Sequence, residues 1–187
     1  ISYSLLYWAY VSNIDSKQVA KHIYILLASS FIAAGAAVLE HFGIFLTCGT
    51  IGKITENCWI QDVQLRVFST FGQPNWLATW LVALMPIGWS LAGVLKLTLL
   101  YSFTPLLFVT LLFTGSRSGL LGFGISYLIF WCITFRKYKK EALKPFAIIS
   151  SSLLVISLLF GTPWTPSIFK SNSKPLTTPV GPALETG

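Results

Sequence analysis

Apolar residues run along this chain in long blocks, and the polar residues gather in the gaps between them. Ile1 to Val11 is a short block, closed by the polar stretch Ser12 to Lys21 with Asp15, Lys17 and Lys21. His22 to Leu46 follows, then the longest polar interval, Thr47 to Gln73, which holds Lys53, Glu56, Asp62 and Arg66. Asn75 to Val94 is the next block, with Pro74 at its first helical turn, where a missing N–H costs nothing. After a turn at Lys96 come Leu97 to Phe113 and Ser118 to Phe135, parted only by the break Thr114 to Arg117. The basic connector RKYKKEALK, residues 136 to 144, leads to a last block that Pro145 opens and Phe160 ends. From Gly161 the chain is polar and proline-rich (Pro163, Pro166, Pro175, Pro179, Pro182), with no apolar period. That tail reads as irregular.

A helix needs about 20 apolar residues to cross a bilayer core. The blocks therefore predict an all-α fold: a polytopic transmembrane helical bundle of about five full spans plus a truncated first span. Residues 1–162 form the membrane domain, with an outer loop at 47–73 and a cytoplasmic basic loop at 136–144. Residues 163–187 form an irregular extracytoplasmic segment. No basic region precedes Ile1 to Val11 and no small-residue cleavage site follows it, so that block is not expected to be a signal peptide. The chain is expected to be a fragment that begins inside a membrane helix.

Composition strengthens the membrane reading. The chain is 54% hydrophobic and only 10% charged, far below the quarter or so of charged residues usual in soluble domains, and its mean hydropathy is +0.70. A net charge of +7 would suit nucleic acid on a polar domain, but here the thirteen Lys and Arg lie between apolar blocks. The lipid bilayer is the expected partner, and nucleic acid is not. Lys and Arg are retained on the cytoplasmic side of membrane proteins, so Arg136, Lys137, Lys139, Lys140 and Lys144 mark that side. Alternation then places Lys17, Lys21 and Lys96 inside as well, so the inner connectors hold eight of the thirteen basic residues. The 47–73 loop, the 114–117 break and the tail fall on the outer face. Trp59, Trp76, Trp80 and Trp164 suit an outer aromatic belt, and Trp8 and Trp131 the inner region. Cys48 and Cys58 share the outer loop, where a disulfide and two free thiols both remain open; closure would contribute roughly 3 kcal/mol on a chain-entropy argument. Cys132 reads as a small apolar residue.

Two stretches carry the candidate chemistry: RVFSTFGQPNWLATW from Arg66, and TGSRSGLLGFG from Thr114. Each sets an arginine beside a Gly, Ser or Pro break at the outer start of an inward-running helix. Helix N-termini expose amide donors and a positive dipole end, which favour anions. Arg66 and Arg117 are therefore candidate anion-binding residues. The plainer alternative is that each anchors a span at the interface. Asn75, Gln73, Ser116 and Ser118 are candidate hydrogen-bonding residues of that site, although Ser116 or Asn75 also fits a helix cap. Gly72, Gly115, Gly119, Gly122 and Gly124 fit turns and close helix packing. His41, beside Glu40 near the outer end of a span, invites a general-base role, but nothing in the sequence places it near the arginines. No paired His, CxxC or DxD spacing supports a metal, and no cofactor is implied.

At these stretches the chain resembles the O-antigen ligase and polymerase superfamily of membrane glycosyltransferases. An arginine followed by a T-F-G-x-P-N turn that opens a span is matched by Arg66, Thr70, Phe71, Gly72, Pro74 and Asn75. An S-R-x-G motif at a later span start is matched by Ser116, Arg117 and Gly119. Ser69 and Gln73 stand where the family often has Gly and Asn. The resemblance spans roughly residues 20–162 and implies an inverting, metal-independent transfer on the outer face of the cytoplasmic (inner) membrane. The donor would be a glycan on undecaprenyl diphosphate and the acceptor a lipid- or protein-borne hydroxyl, with Arg66 and Arg117 binding the diphosphate leaving group. Members also carry a large outer loop with a histidine that acts on the acceptor. The tail to Gly187 has no histidine, so the resemblance implies a chain holding the donor half of a site. Ligase, polymerase and protein O-oligosaccharyltransferase all remain open, and a transporter or channel fragment and a structural membrane subunit are the competing classes.

Overall fold

The computed structural model describes residues 2–42, 44, 66–95 and 103–165. The expectations for Cys48, Cys58, Trp59, most of the 47–73 loop, the Lys96 turn and the tail from residue 166 lie outside those residues. Among the described residues the fold is all-helical: α1 (Ser2–Asn13), α2 (Ser16–His41), α3 (Pro74–Leu95), α4 (Phe103–Phe113), α5 (Arg117–Tyr138) and α6 (Leu143–Phe160). Short 3-10 turns at Ser69–Phe71 and Lys139–Ala142 lead into α3 and α6.

α4 and α6 end where their apolar blocks end, at Phe113 and Phe160, but other helix ends depart from the blocks. The polar stretch Ser12 to Lys21, expected to be a connector, is helical apart from Ile14 and Asp15; the Asp15 carbonyl accepts the Gln18 amide at 2.8 Å and starts α2. Lys and Gln are good helix formers, so the helix continues where hydropathy stops. The same holds at 136–144: α5 runs on through Tyr138, and the expected basic loop is a tight helical turn into α6. Pro74 does open α3, as its position predicts.

α4 is the centre of the bundle and packs against α2, α3, α5 and α6. It is apolar all round, as expected for a helix without a solvent face, and seven of its eleven residues are buried. Specific contacts fix the directions of its neighbours. Phe31 stacks on Phe103 at 5.1 Å and Thr110 Oγ1 donates to Ala34 O at 3.3 Å, so α2 and α4 run parallel. Trp89 Nε1, late in α3, donates to Thr104 Oγ1, early in α4, at 2.8 Å; these two are antiparallel. Tyr127 and Ser150 hydroxyls meet at 2.6 Å and Trp131 packs on Phe146, which sets α6 antiparallel to α5. Helix direction therefore alternates along the chain from α2 to α6.

Two helical stretches, Gln18–His41 and Arg117–Phe160, are long and apolar enough to cross a membrane. On α5, Leu121, Ile125, Leu128, Ile129 and Ile133 form one outward face, each more than half exposed; on α6, Ile148, Leu154, Val155 and Leu158 do the same. Contiguous exposed apolar faces of this kind suit hydrocarbon rather than water. Cys132 is exposed on α5. Trp131, expected toward the inner region, lies in the second half of α5 and is 4% exposed, in a ring cluster with Trp89, Tyr127, Phe135 and Phe146. Its area is buried better between helices than at an interface.

Candidate functional site

The alternation brings the last turns of α2 and α4 to the same end of the bundle as the first turns of α3 and α5. Between them runs the segment 66–73. Its amides and side chains meet carbonyls at the end of α4, a place where a helix leaves acceptors unsatisfied. Val67 N donates to Phe113 O at 3.1 Å, and Arg66 Nε donates to Thr114 O at 3.0 Å. A guanidinium at a helix C-terminus is also favoured by the dipole. Gly115, which ends this turn at φ +61°, lies under the Arg66 stem: a Cβ there would sit 3.5 Å from both Cγ and Nε. A second contact, Arg66 Nη2 to Asn75 Oδ1 at 3.4 Å, points the fork at the start of α3. Those bonds engage two of the five guanidinium donors, and Arg66 is exposed.

Arg117 is the first residue of α5 and is exposed, as is Ser118. Ser116 is the N-cap: its Oγ accepts from Gly119 N at 3.1 Å, its own amide donates to Thr114 Oγ1 at 3.2 Å, and it is 2% exposed. Ser118 Oγ lies 3.3 Å from Ser116 Oγ. Capping is thus the role the structure gives Ser116. Gln73 acts through its main chain, since its carbonyl accepts the Trp76 and Leu77 amides at 3.1 and 3.3 Å and opens α3. Asn75 follows Pro74 within the first turn of α3 and acts through its side chain on Arg66.

The two N-terminal turns lie side by side. Gly119, third residue of α5, would place a Cβ 2.7 Å from Cβ of Ala78, fifth residue of α3, and Gly122 would approach Val82 at 3.9 Å. The helices therefore run parallel with their positive ends adjacent. Arg66, whose stem rests on Gly115, thus lies at the same end of the bundle as Arg117, two residues beyond that glycine. Two exposed guanidiniums beside two helix N-termini can hold an anion with two charged groups, as a diphosphate has.

Glu40 and His41 belong to this end too. The His41 ring stacks on Phe113 at 3.8 Å, and Glu40, 2% exposed, accepts the Ser69 amide at 2.8 Å through Oε2. Sequence reasoning gave Glu40 no contact with the 66–73 segment. The available signal was that it is the one acidic residue in His22 to Leu46, and an ionisable residue inside an apolar span marks a functional candidate. No protein-family model, curated protein or solved structure matches this chain.

Proposed function

We propose that this chain is a multi-pass membrane protein that binds the diphosphate of a lipid-linked glycan, and that it serves glycosyl transfer in the manner of an O-antigen ligase. The observation that carries the reading is that the Arg66 stem rests on Gly115, two residues before Arg117, at the end of the bundle where the N-terminal turns of α3 and α5 adjoin. An acceptor hydroxyl attacks the anomeric carbon, the anomeric C–O bond to the diphosphate breaks, the electron pair leaves with undecaprenyl diphosphate, and the hydroxyl proton is released to water or to the departing diphosphate. The arginines stabilise that growing negative charge. Transport is less well supported, because the charged breaks sit at an end of the bundle, whereas transporters place theirs near the midplane.

Binding of undecaprenyl diphosphate to the purified chain in lipid nanodiscs tests this directly. Charge-assisted hydrogen bonds contribute about 1.5–3 kcal/mol each, so Arg117→Ala is expected to weaken binding on the order of 10- to 100-fold. Arg117→Lys restores only part, since the point charge lacks the bidentate fork. Arg66→Ala acts similarly, and the double variant is non-additive because both residues face one ligand. Span anchoring predicts the reverse pattern: less protein in the membrane, unchanged binding per folded molecule and full rescue by lysine. Wild-type affinity in Arg117→Ala overturns the diphosphate assignment.

A further inference from the structure

We propose that Glu40 is the positioning residue that holds the Arg66 segment in its binding geometry. Its carboxyl group stands in the last turn of α2, among apolar residues, where an unpaired polar group is costly. Main-chain amides satisfy it: Ser69 N donates at 2.8 Å, and the Phe68 backbone hydrogen-bonds the same carboxyl. Phe68 and Ser69 are themselves buried, at 2% and 1% exposure. Ser69 holds φ at +51°, a left-handed conformation that a non-glycine residue adopts only when its surroundings impose it. Its own hydroxyl is buried and makes no hydrogen bond with the described residues, so no bond from that side chain holds the turn. Within the turn Phe71 N donates to Phe68 O at 3.1 Å, and the bond that fastens Ser69 to a neighbouring helix comes from α2.

The segment is therefore fastened twice within four residues. Arg66 and Val67 are tied to the end of α4, and Phe68 and Ser69 to the end of α2. Without the second fastening, two buried amides lose their acceptor, the turn relaxes, and the guanidinium three residues upstream is no longer held over Gly115. Because Glu40 bonds backbone rather than ligand, it acts through geometry. The consequence for diphosphate binding rests on the function proposed above; the consequence for the turn does not.

The test separates those two consequences and separates bonding from charge. A nitroxide spin label is placed at Thr70→Cys, in a chain whose three native cysteines are serines, and its mobility is read by electron paramagnetic resonance. Glu40→Gln keeps an acceptor oxygen at the same reach, whereas Glu40→Asp keeps the acid but is one methylene shorter. The expected result is an immobilised label with Glu40 and with Glu40→Gln, and a mobile component with Glu40→Asp. A control label at Ile125→Cys, on the outward face of α5, stays unchanged in every variant and reports an intact bundle. On unlabelled chains, Glu40→Asp is expected to weaken undecaprenyl diphosphate binding by about 10-fold, the scale of one charge-assisted hydrogen bond, and Glu40→Gln to stay close to the parent chain. An immobile label in all three chains overturns the proposal, and so does a mobile label in Glu40→Gln with an immobile one in Glu40→Asp, which marks a charge role. Absence of diphosphate binding by the parent chain defeats the functional reading alone, because the label still reports on the turn.

Discussion

Gly119 has the least room of the described glycines in this chain, since an added Cβ would meet Ala78 Cβ at 2.7 Å, closer than real Cβ contacts come. Gly119→Val is therefore expected to force α3 and α5 apart and to destabilise the protein by about 1–3 kcal/mol, the usual cost of overpacking. Gly124→Ala, with nothing within 4 Å of the new Cβ, is the matched control, expected to shift stability by no more than about 1 kcal/mol. Thermal unfolding in one detergent compares the two, and equal midpoints would remove the close-contact argument. The sequence singled out both glycines, together with three others, because small residues permit close helix packing. It had no means to rank them, since what distinguishes Gly119 is a neighbour more than forty positions away. Glu40 went unplaced for a related reason. Its donors are backbone amides of Phe68 and Ser69, and a backbone amide leaves no trace in residue identity.

Helix existence was legible, and helix ends were legible only in part. Pro74 and Ser116 marked the starts of α3 and α5, because proline and serine have positional chemistry at a helix N-terminus. The starts of α2 and α6 were placed late, because apolar blocks end where burial ends, while backbone hydrogen bonding continues through Lys, Gln and Glu. The tie between α3 and α4 was not legible at all. Trp89 and Thr104 are buried residues in separate apolar blocks, and the pairing of an indole N–H with a hydroxyl is a tertiary fact. A double-mutant cycle with Trp89→Phe and Thr104→Val is expected to give a coupling of about 0.6–1.7 kcal/mol, the range for hydrogen bonds between membrane helices. Additive losses would show that the two side chains contribute packing alone.

At the scale of the whole molecule, the alternating helix directions divide the chain into two ends. Residues 66–75 and 113–119 share one end with the last turns of α2 and α6, while the basic run from Arg136 to Lys144 lies at the other, where α5 turns into α6. α5 has 22 residues, which at 1.5 Å of rise per residue is about 33 Å, enough to cover a bilayer core of about 30 Å. If α5 crosses, its first residue, Arg117, and the basic run that begins in its last turn must face opposite compartments, and the retention of Lys and Arg on the cytoplasmic side is expected to decide which is which. Charge counting groups Lys17 and Lys21 with this basic run, and the packing directions place the start of α2 at the same end as the turn from α5 into α6. The expected outcome is that Thr70→Cys, in the cysteine-free chain, reacts with a membrane-impermeant maleimide added to intact cells. Lys140→Cys is expected to react only after the cells are permeabilised. Labelling of both from outside would overturn the crossing of α5, and labelling of Lys140→Cys alone would invert the molecule and move both arginines to the cytoplasmic face, away from any donor presented outside.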